Sequence, residues 1–251
     1  MQRRDVLTSL SAFTASVFTA SLFAATPLRA ASASRRYSLR AVDLVAESNV
    51  IDMLGLPTLN WALFDRWQQV PAAFTDGDFR KLRASGINVF HPAVAFETPR
   101  SHAVTLEWFG KWDRLMNAHP NYFVRVDCSG GLARAKSEGK IGIILGMQDS
   151  NHFRCPEDVD AFYRIGQRLT QLTYNDANQA GDGCKAILDK GLTAFGGELV
   201  TRMNSIGMAI DISHCGQRTS LDAISLSKKP VLITHSNCRA LAPGACPHTE
   251  A

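Results

Sequence analysis

GMAIDISHCGQRTSLDAISLSKKPVLITHSNCRAL, residues 207–241, is the stretch whose reading decides the fold. Met208 to His214 is an apolar run suited to a strand, and Gln217 to Ser227 has helical spacing. Val231 to His235 is a second apolar run. A strand, a helix and a strand in close succession make a parallel pair with a crossover helix. Both strands end in histidine, His214 and His235. Neighbouring parallel strands lie about 4.8 Å apart. Two imidazoles at equivalent heights can therefore share one metal ion, each nitrogen ~2.1 Å from it. Either histidine alone would read as a hydrogen-bonded core residue or a cap. Two at matching strand ends point to metal.

Working outward, the same alternation runs back to Ser48. Strands are expected at 49–54, 87–94, 141–146 and 169–175, and helices at 76–85, 104–118, 129–138, 156–166 and 193–206. Gly86, Gly139 and Gly207 follow three of the helices as C-terminal caps. Ile141 to Gly146 is apolar throughout, as in a strand buried on both faces of a parallel sheet. No glycine-rich phosphate loop follows the first strand, which disfavours a dinucleotide fold. Asp52, Gln148, Asn175, His214 and His235 stand at strand ends, where barrels carry their active sites. The expectation is an α/β chain: a (β/α)₈ TIM-like barrel, incomplete, with about six of eight strand–helix units.

The net charge of the 251 residues is +4, and half of it comes from Arg3, Arg4 and Arg29 against Asp5. So weak a charge gives no footprint for nucleic acid. Hydrophobic residues are 45% and charged residues 20%, so a packed core rather than disorder is expected. Six cysteines are scattered without a C-x-x-C pair and are read as mostly free thiols. Residues 1–33 read as an export signal: paired arginines, a mildly apolar run from Leu7 to Ala25, then small residues suited to cleavage. Arg3-Arg4 before a weak apolar core resembles the twin-arginine type, which places the protein in a bacterial periplasm. Residues 34–47 are expected to be a linker and 48–251 the barrel domain. No stable membrane span is expected after signal removal.

The stretch 207–241 also resembles the core of the membrane (renal) dipeptidase family, with its Asp-hydrophobic-Ser-His, helix, Thr-His-Ser pattern. KIGIILGMQDSNHF (140–153), RLTQLTYNDAN (168–178), GLTAFGGELVTRMNSIGM (191–208) and NVIDMLGLP (49–57) resemble further family motifs, in the family's order. The resemblance implies a zinc-dependent (β/α)₈ hydrolase of dipeptides, some with a D-residue on the C-terminal side. Two zinc ions bridged by a glutamate would acidify a water and polarise the scissile carbonyl.

The chain departs from that pattern. Where the family's first strand ends in His-x-Asp, Asp52 is followed here by Met53, Leu54 and Gly55, so those ligands are absent, with Asp52 as a makeshift ligand. Its bridging glutamate is Gln148, and a neutral amide bridges two cations poorly. Its substrate-side histidine is Tyr174, which can still donate a hydrogen bond. Thus one zinc ion is expected rather than two, on His214 and His235. Arg239 is expected to bind a substrate carboxylate, and His152 to rim the pocket. Asp211 is read as a buried structural partner, and His91 as a core or surface residue. After Gly244 the family pattern stops, and a frameshift or fragment is the expectation. Three readings stay open: a dipeptidase with a reduced site, a non-catalytic relative that binds one metal or a peptide-like ligand, and an inactive fragment.

Overall fold

A buried apolar strand needs partners along both edges, and residues 141–147 show how they are supplied. The computed structural model describes residues 37–238 and 241. Within it the apolar run forms β4 (Ile141–Ile143) and β5 (Leu145–Met147), parted only at Ile144. The amides of Gly142, Ile144 and Gln148 donate to the carbonyls of Asn88, Phe90 and Val94. One edge of the whole run therefore faces β2 (Val89–Phe90) and the residues after it. Along the other edge, β3 (Phe123–Arg125) pairs with β4, and β6 (Gln167–Gln171) pairs with β5. β1 (Ile51–Asp52) adds beyond β2, while β7 (Ala209–Asp211) and β8 (Val231–Leu232) add in turn beyond β6.

Every pair is parallel. Leaving β3 aside, neighbours in the sheet follow chain order, as consecutive barrel staves do.

Helices cover the sheet. Three match the expected caps. α3 (Asp76–Ala84) opens on a capping box between Thr75 and Asp78, and Gly86 follows at φ 80°. α5 (Ser129–Ser137) is followed by Gly139 at φ 65°. α7 (Ala194–Ile206) starts on the Thr193 hydroxyl and ends on Gly207 at φ 83°, a left-handed cap that glycine adopts freely. α6 (Asp158–Arg164) packs on β6 and α7 on β7, and α8 (Gln217–Leu226) packs against α7. α4 (Ser101–Ala118) buries Trp108 and Trp112 against Phe64 of α2 (Trp61–Gln69), with ring centroids 5.7 and 5.3 Å apart.

Some expectations need correction. The reading of six strands passed over β3, a three-residue strand. The stretch expected as a linker contains a helix, α1 (Leu39–Glu47), with no buried residue. β7 ends at Asp211, not His214, because the Asp211 carboxylate takes the amide of Ser213 (2.9 Å) and ends the ladder. The expected signal at 1–33 and Arg239 lie outside the described residues. No helix among the described residues is long and apolar enough to cross a membrane. Cys128, Cys155 and Cys215 are free thiols.

Gly142 shows how tightly the layers close. A Cβ there would stand 2.8 Å from Val126 Cγ2, 2.9 Å from Val89 Cγ2 and 3.2 Å from Ala135 Cβ. Gly142→Val is expected to destabilise the fold by about 1–3 kcal/mol through overpacking. Urea denaturation measures it, and an unchanged midpoint would contradict the three-way contact.

Candidate metal and substrate site

Strand register builds the site. β6 pairs Gln171 with Asp211, and β7 pairs Asp211 with Leu232. Three residues beyond those partners stand Tyr174, His214 and His235, one on each chain segment. Their rings form a row. Tyr174 and His214 have centroids 4.6 Å apart, and His214 and His235 have centroids 4.9 Å apart. The two expected ligands therefore face each other at one mouth of the sheet.

Hydrogen bonds fix the tautomers. Asp211 is buried, and its carboxylate accepts the Thr234 hydroxyl (2.6 Å) and the Ser213 amide (2.9 Å). Having given its proton to Asp211, Thr234 Oγ1 must accept from His235 Nδ1, 2.6 Å away. His235 Nε2 is then left with a lone pair, and it is buried without a partner. His214 Nδ1 donates to Asn175 Oδ1 (3.0 Å), which likewise leaves its Nε2 with a lone pair. Asp211 is thus the structural partner expected. His214 sits at φ 61°, a left-handed conformation rarely taken by a side chain other than glycine. Such strain persists where the surroundings over-determine it, often at functional sites.

Both rings are held neutral. Burial lowers the pKa of His214 below the ordinary value, with His235 and Lys185 adding and Asp211 opposing. Burial also lowers that of His235, against the pull of Asp211. Neutral imidazole is the metal-binding form. Next to them, burial pushes the Cys215 thiol up to about 11, so it stays protonated and inert.

The other expected residues are placed differently. Asp52 folds back on its own turn, accepting the Leu54 amide at 3.1 Å, and it lies near His91. Gln148 donates its side-chain amide to the Ala93 carbonyl (3.0 Å), so its oxygen alone is left for a ligand. His152 does not rim the pocket. It is fully buried, packed on Phe153 and Phe162, with Nε2 3.2 Å from Gln167 Oε1. His91, read as core or surface, is buried over Gly146, where a Cβ would collide with its ring.

A sequence profile described as "Membrane dipeptidase (Peptidase family M19)" matches residues 39–247. The chain belongs to the membrane dipeptidase family. An uncharacterized dipeptidase of Schizosaccharomyces pombe is 33% identical over 153 residues, 58% of this chain and 37% of that protein. An amidohydrolase from Pseudomonas aeruginosa superposes with a TM-score of 0.67 at 29% identity, covering 80% of this chain and 57% of that one. A metallo peptidase from Rhodobacter sphaeroides, liganded with a phosphinate mimic of the dipeptide L-Ala-D-Ala, shares the fold. Its TM-score is 0.64 at 18% identity, over 76% of this chain and 66% of that one. The chain spans less than two thirds of the length of each.

Membership of this metallopeptidase family implies a metal, and the donors here can be tested for fit. Two neutral imidazoles with free Nε2 lone pairs, one of them a buried orphan, suit a single zinc ion. They do not suit a bridged pair. Among the described residues no three His, Cys, Asp or Glu side chains already surround one point. Protein ligands of a catalytic zinc normally number three, so the described pair makes an incomplete site.

Acid sensitivity follows from burial. His91, His152, His214 and His235 all have lowered pKa values in the fold, with burial the main cause in each. Unfolded, each titrates near 6.5. Below about pH 6.5 the unfolded chain therefore binds protons that the folded chain resists, and stability falls. Above that pH their contribution is fully present. The urea midpoint is expected to drop between pH 7.5 and pH 5.5; a rise on acidification would contradict the neutral, buried assignment.

Proposed function

We propose that this chain is a dipeptide hydrolase of the membrane dipeptidase type, with its metal site reduced to one zinc ion at His214 and His235. The observation that carries this reading is the row of Tyr174, His214 and His235, with both histidines pinned at Nδ1 and bare at Nε2. Zinc bound there would supply a Lewis acid for the scissile carbonyl and an acidified water.

The chain's own residues do the rest. Asn175 orients the His214 ring, and Thr234, itself held by Asp211, orients His235. Tyr174, its ring tilted beside that of His214, would donate its hydroxyl to the carbonyl oxygen or to the anion that forms from it. Gln148 would offer its amide oxygen from the neighbouring strand. Arg239 would bind the substrate's carboxylate as a fork. Dipeptides with a D-residue on the C-terminal side fit the reading, since the Rhodobacter relative holds an L-Ala-D-Ala mimic. The Arg3-Arg4 leader supports export to the periplasm by the twin-arginine route.

One observation favours a second reading. No third ligand joins the pair among the described residues, and a relative of that kind would bind one metal or a peptide-like ligand without turnover.

Periplasmic protein, dialysed and assayed for zinc, is expected to retain about one ion per chain. His235→Ala is expected to weaken zinc binding at least tenfold. So is His214→Asn, whose side chain tolerates the left-handed backbone and so leaves the fold intact. With zinc saturating, dipeptides should turn over. Retained zinc with no turnover would leave the binding reading; no zinc would remove both. Absence from the periplasmic fraction would sink the export reading alone.

A further inference from the structure

Lys185 stands where a loop is pressed onto the supports of His214. The loop, residues 181–192, is closed at its neck by a bridge between Gly181 and Leu192. The Cys184 amide donates to the His214 carbonyl (2.7 Å), and Gly183 bridges to Cys215, the next residue along. The Lys185 amide donates to the carbonyl of Asn175 (2.9 Å), whose side chain holds the His214 ring. Gly183 permits the approach, because a Cβ there would collide with the carbonyl oxygens of Asn175 and Asp176. Hydrogen bonds thus tie the backbone of Lys185 to the Tyr174–His214 end of the row.

The charges in this loop differ in how far they are committed. Asp182 accepts the Lys190 amide (2.6 Å). Asp189 accepts the amides of Gly191 (3.1 Å) and Arg218 (2.5 Å). The Lys185 side chain is exposed, and its ammonium has no hydrogen-bond or ion-pair partner among the described residues. Its charge also reaches His214, where it helps hold the ring neutral. A free cation beside the site calls for an anion on the substrate. The fork of Arg239 suits the terminal carboxylate, whose position is the same in every dipeptide. Lysine is a point charge on a flexible stem, which suits a carboxylate whose position varies with the side chain that carries it.

We propose that Lys185 is a specificity-determining residue, its ammonium binding the carboxylate of an acidic side chain in the substrate. The proposal rests on the dipeptide-hydrolase reading and adds the substrate class, dipeptides that contain aspartate or glutamate.

The test measures binding apart from turnover. The full chain, loaded with zinc, is titrated with ketomethylene analogues of dipeptides, which keep the carbonyl but have no cleavable bond. Aspartyl-alanine is compared with asparaginyl-alanine, and alanyl-aspartate with alanyl-asparagine. In at least one pair the acid is expected to bind about fivefold more tightly than the amide, as an ion pair at an exposed mouth allows. High salt should shrink that lead. Lys185→Met is expected to abolish it while the amides bind as before, and Lys185→Arg to keep it. Circular dichroism confirms that the variants fold. If acid and amide bind alike in both pairs, or if Lys185→Met keeps the preference, Lys185 is a solvated surface cation and the inference is overturned, while the dipeptide reading stands. If Lys185→Met weakens acids and amides equally, Lys185 serves the terminal carboxylate, which also overturns the acidic class. If the wild type binds none of the analogues, the dipeptide reading itself fails, and this inference with it.

Discussion

The arrangement depends on one buried carboxylate. Asp211 stands at the end of β7 and accepts from the Ser213 amide and the Thr234 hydroxyl, tying the ends of β7 and β8 together. A buried charge is tolerated only when its lone pairs are filled, and here the two strand ends fill them. The consequence passes along the hydrogen bonds. Thr234, with its proton committed, can only accept from His235 Nδ1, and that fixes which nitrogen of His235 faces the mouth. Ser213 Oγ accepts the amides of Thr234 (2.9 Å) and His235 (3.2 Å), which sets the height of the second histidine against the first.

His214 completes the row at the expense of backbone strain. Its left-handed φ of 61° comes directly after the turn that Asp211 closes. The Cys184 amide holds the His214 carbonyl at 2.7 Å, and Asn175 holds its ring. A loop from β6 and a turn from β7 thus grip the same residue. Positioned in this way, the two rings would need little reorganisation to receive the ion proposed for them.

Much of this was legible in the sequence. The apolar run 141–146, the glycine caps after three helices and the two strand-ending histidines gave the alternation and the site's centre. Matching heights for His214 and His235 followed from their equal distance beyond the paired residues. What escaped has physical reasons. β3 is three residues long, too short to show a period. α1 is helical without burying a face, so its fate does not depend on an apolar core. His152 looked like a rim residue because it follows a strand, yet Phe153 and Phe162 enclose it, and only the packed structure shows that. His91 was left between core and surface because a lone histidine after a strand says nothing of the glycine beneath it, and the structure buries it.

The central claim is that imidazole nitrogens at this mouth hold one metal ion. X-ray absorption at the zinc edge, on protein loaded with one equivalent, tests it most directly. The account predicts a nitrogen and oxygen shell at about 2.0–2.1 Å with the multiple-scattering signature of at least two imidazoles. An all-oxygen shell, or zinc that washes out on dialysis, would contradict it.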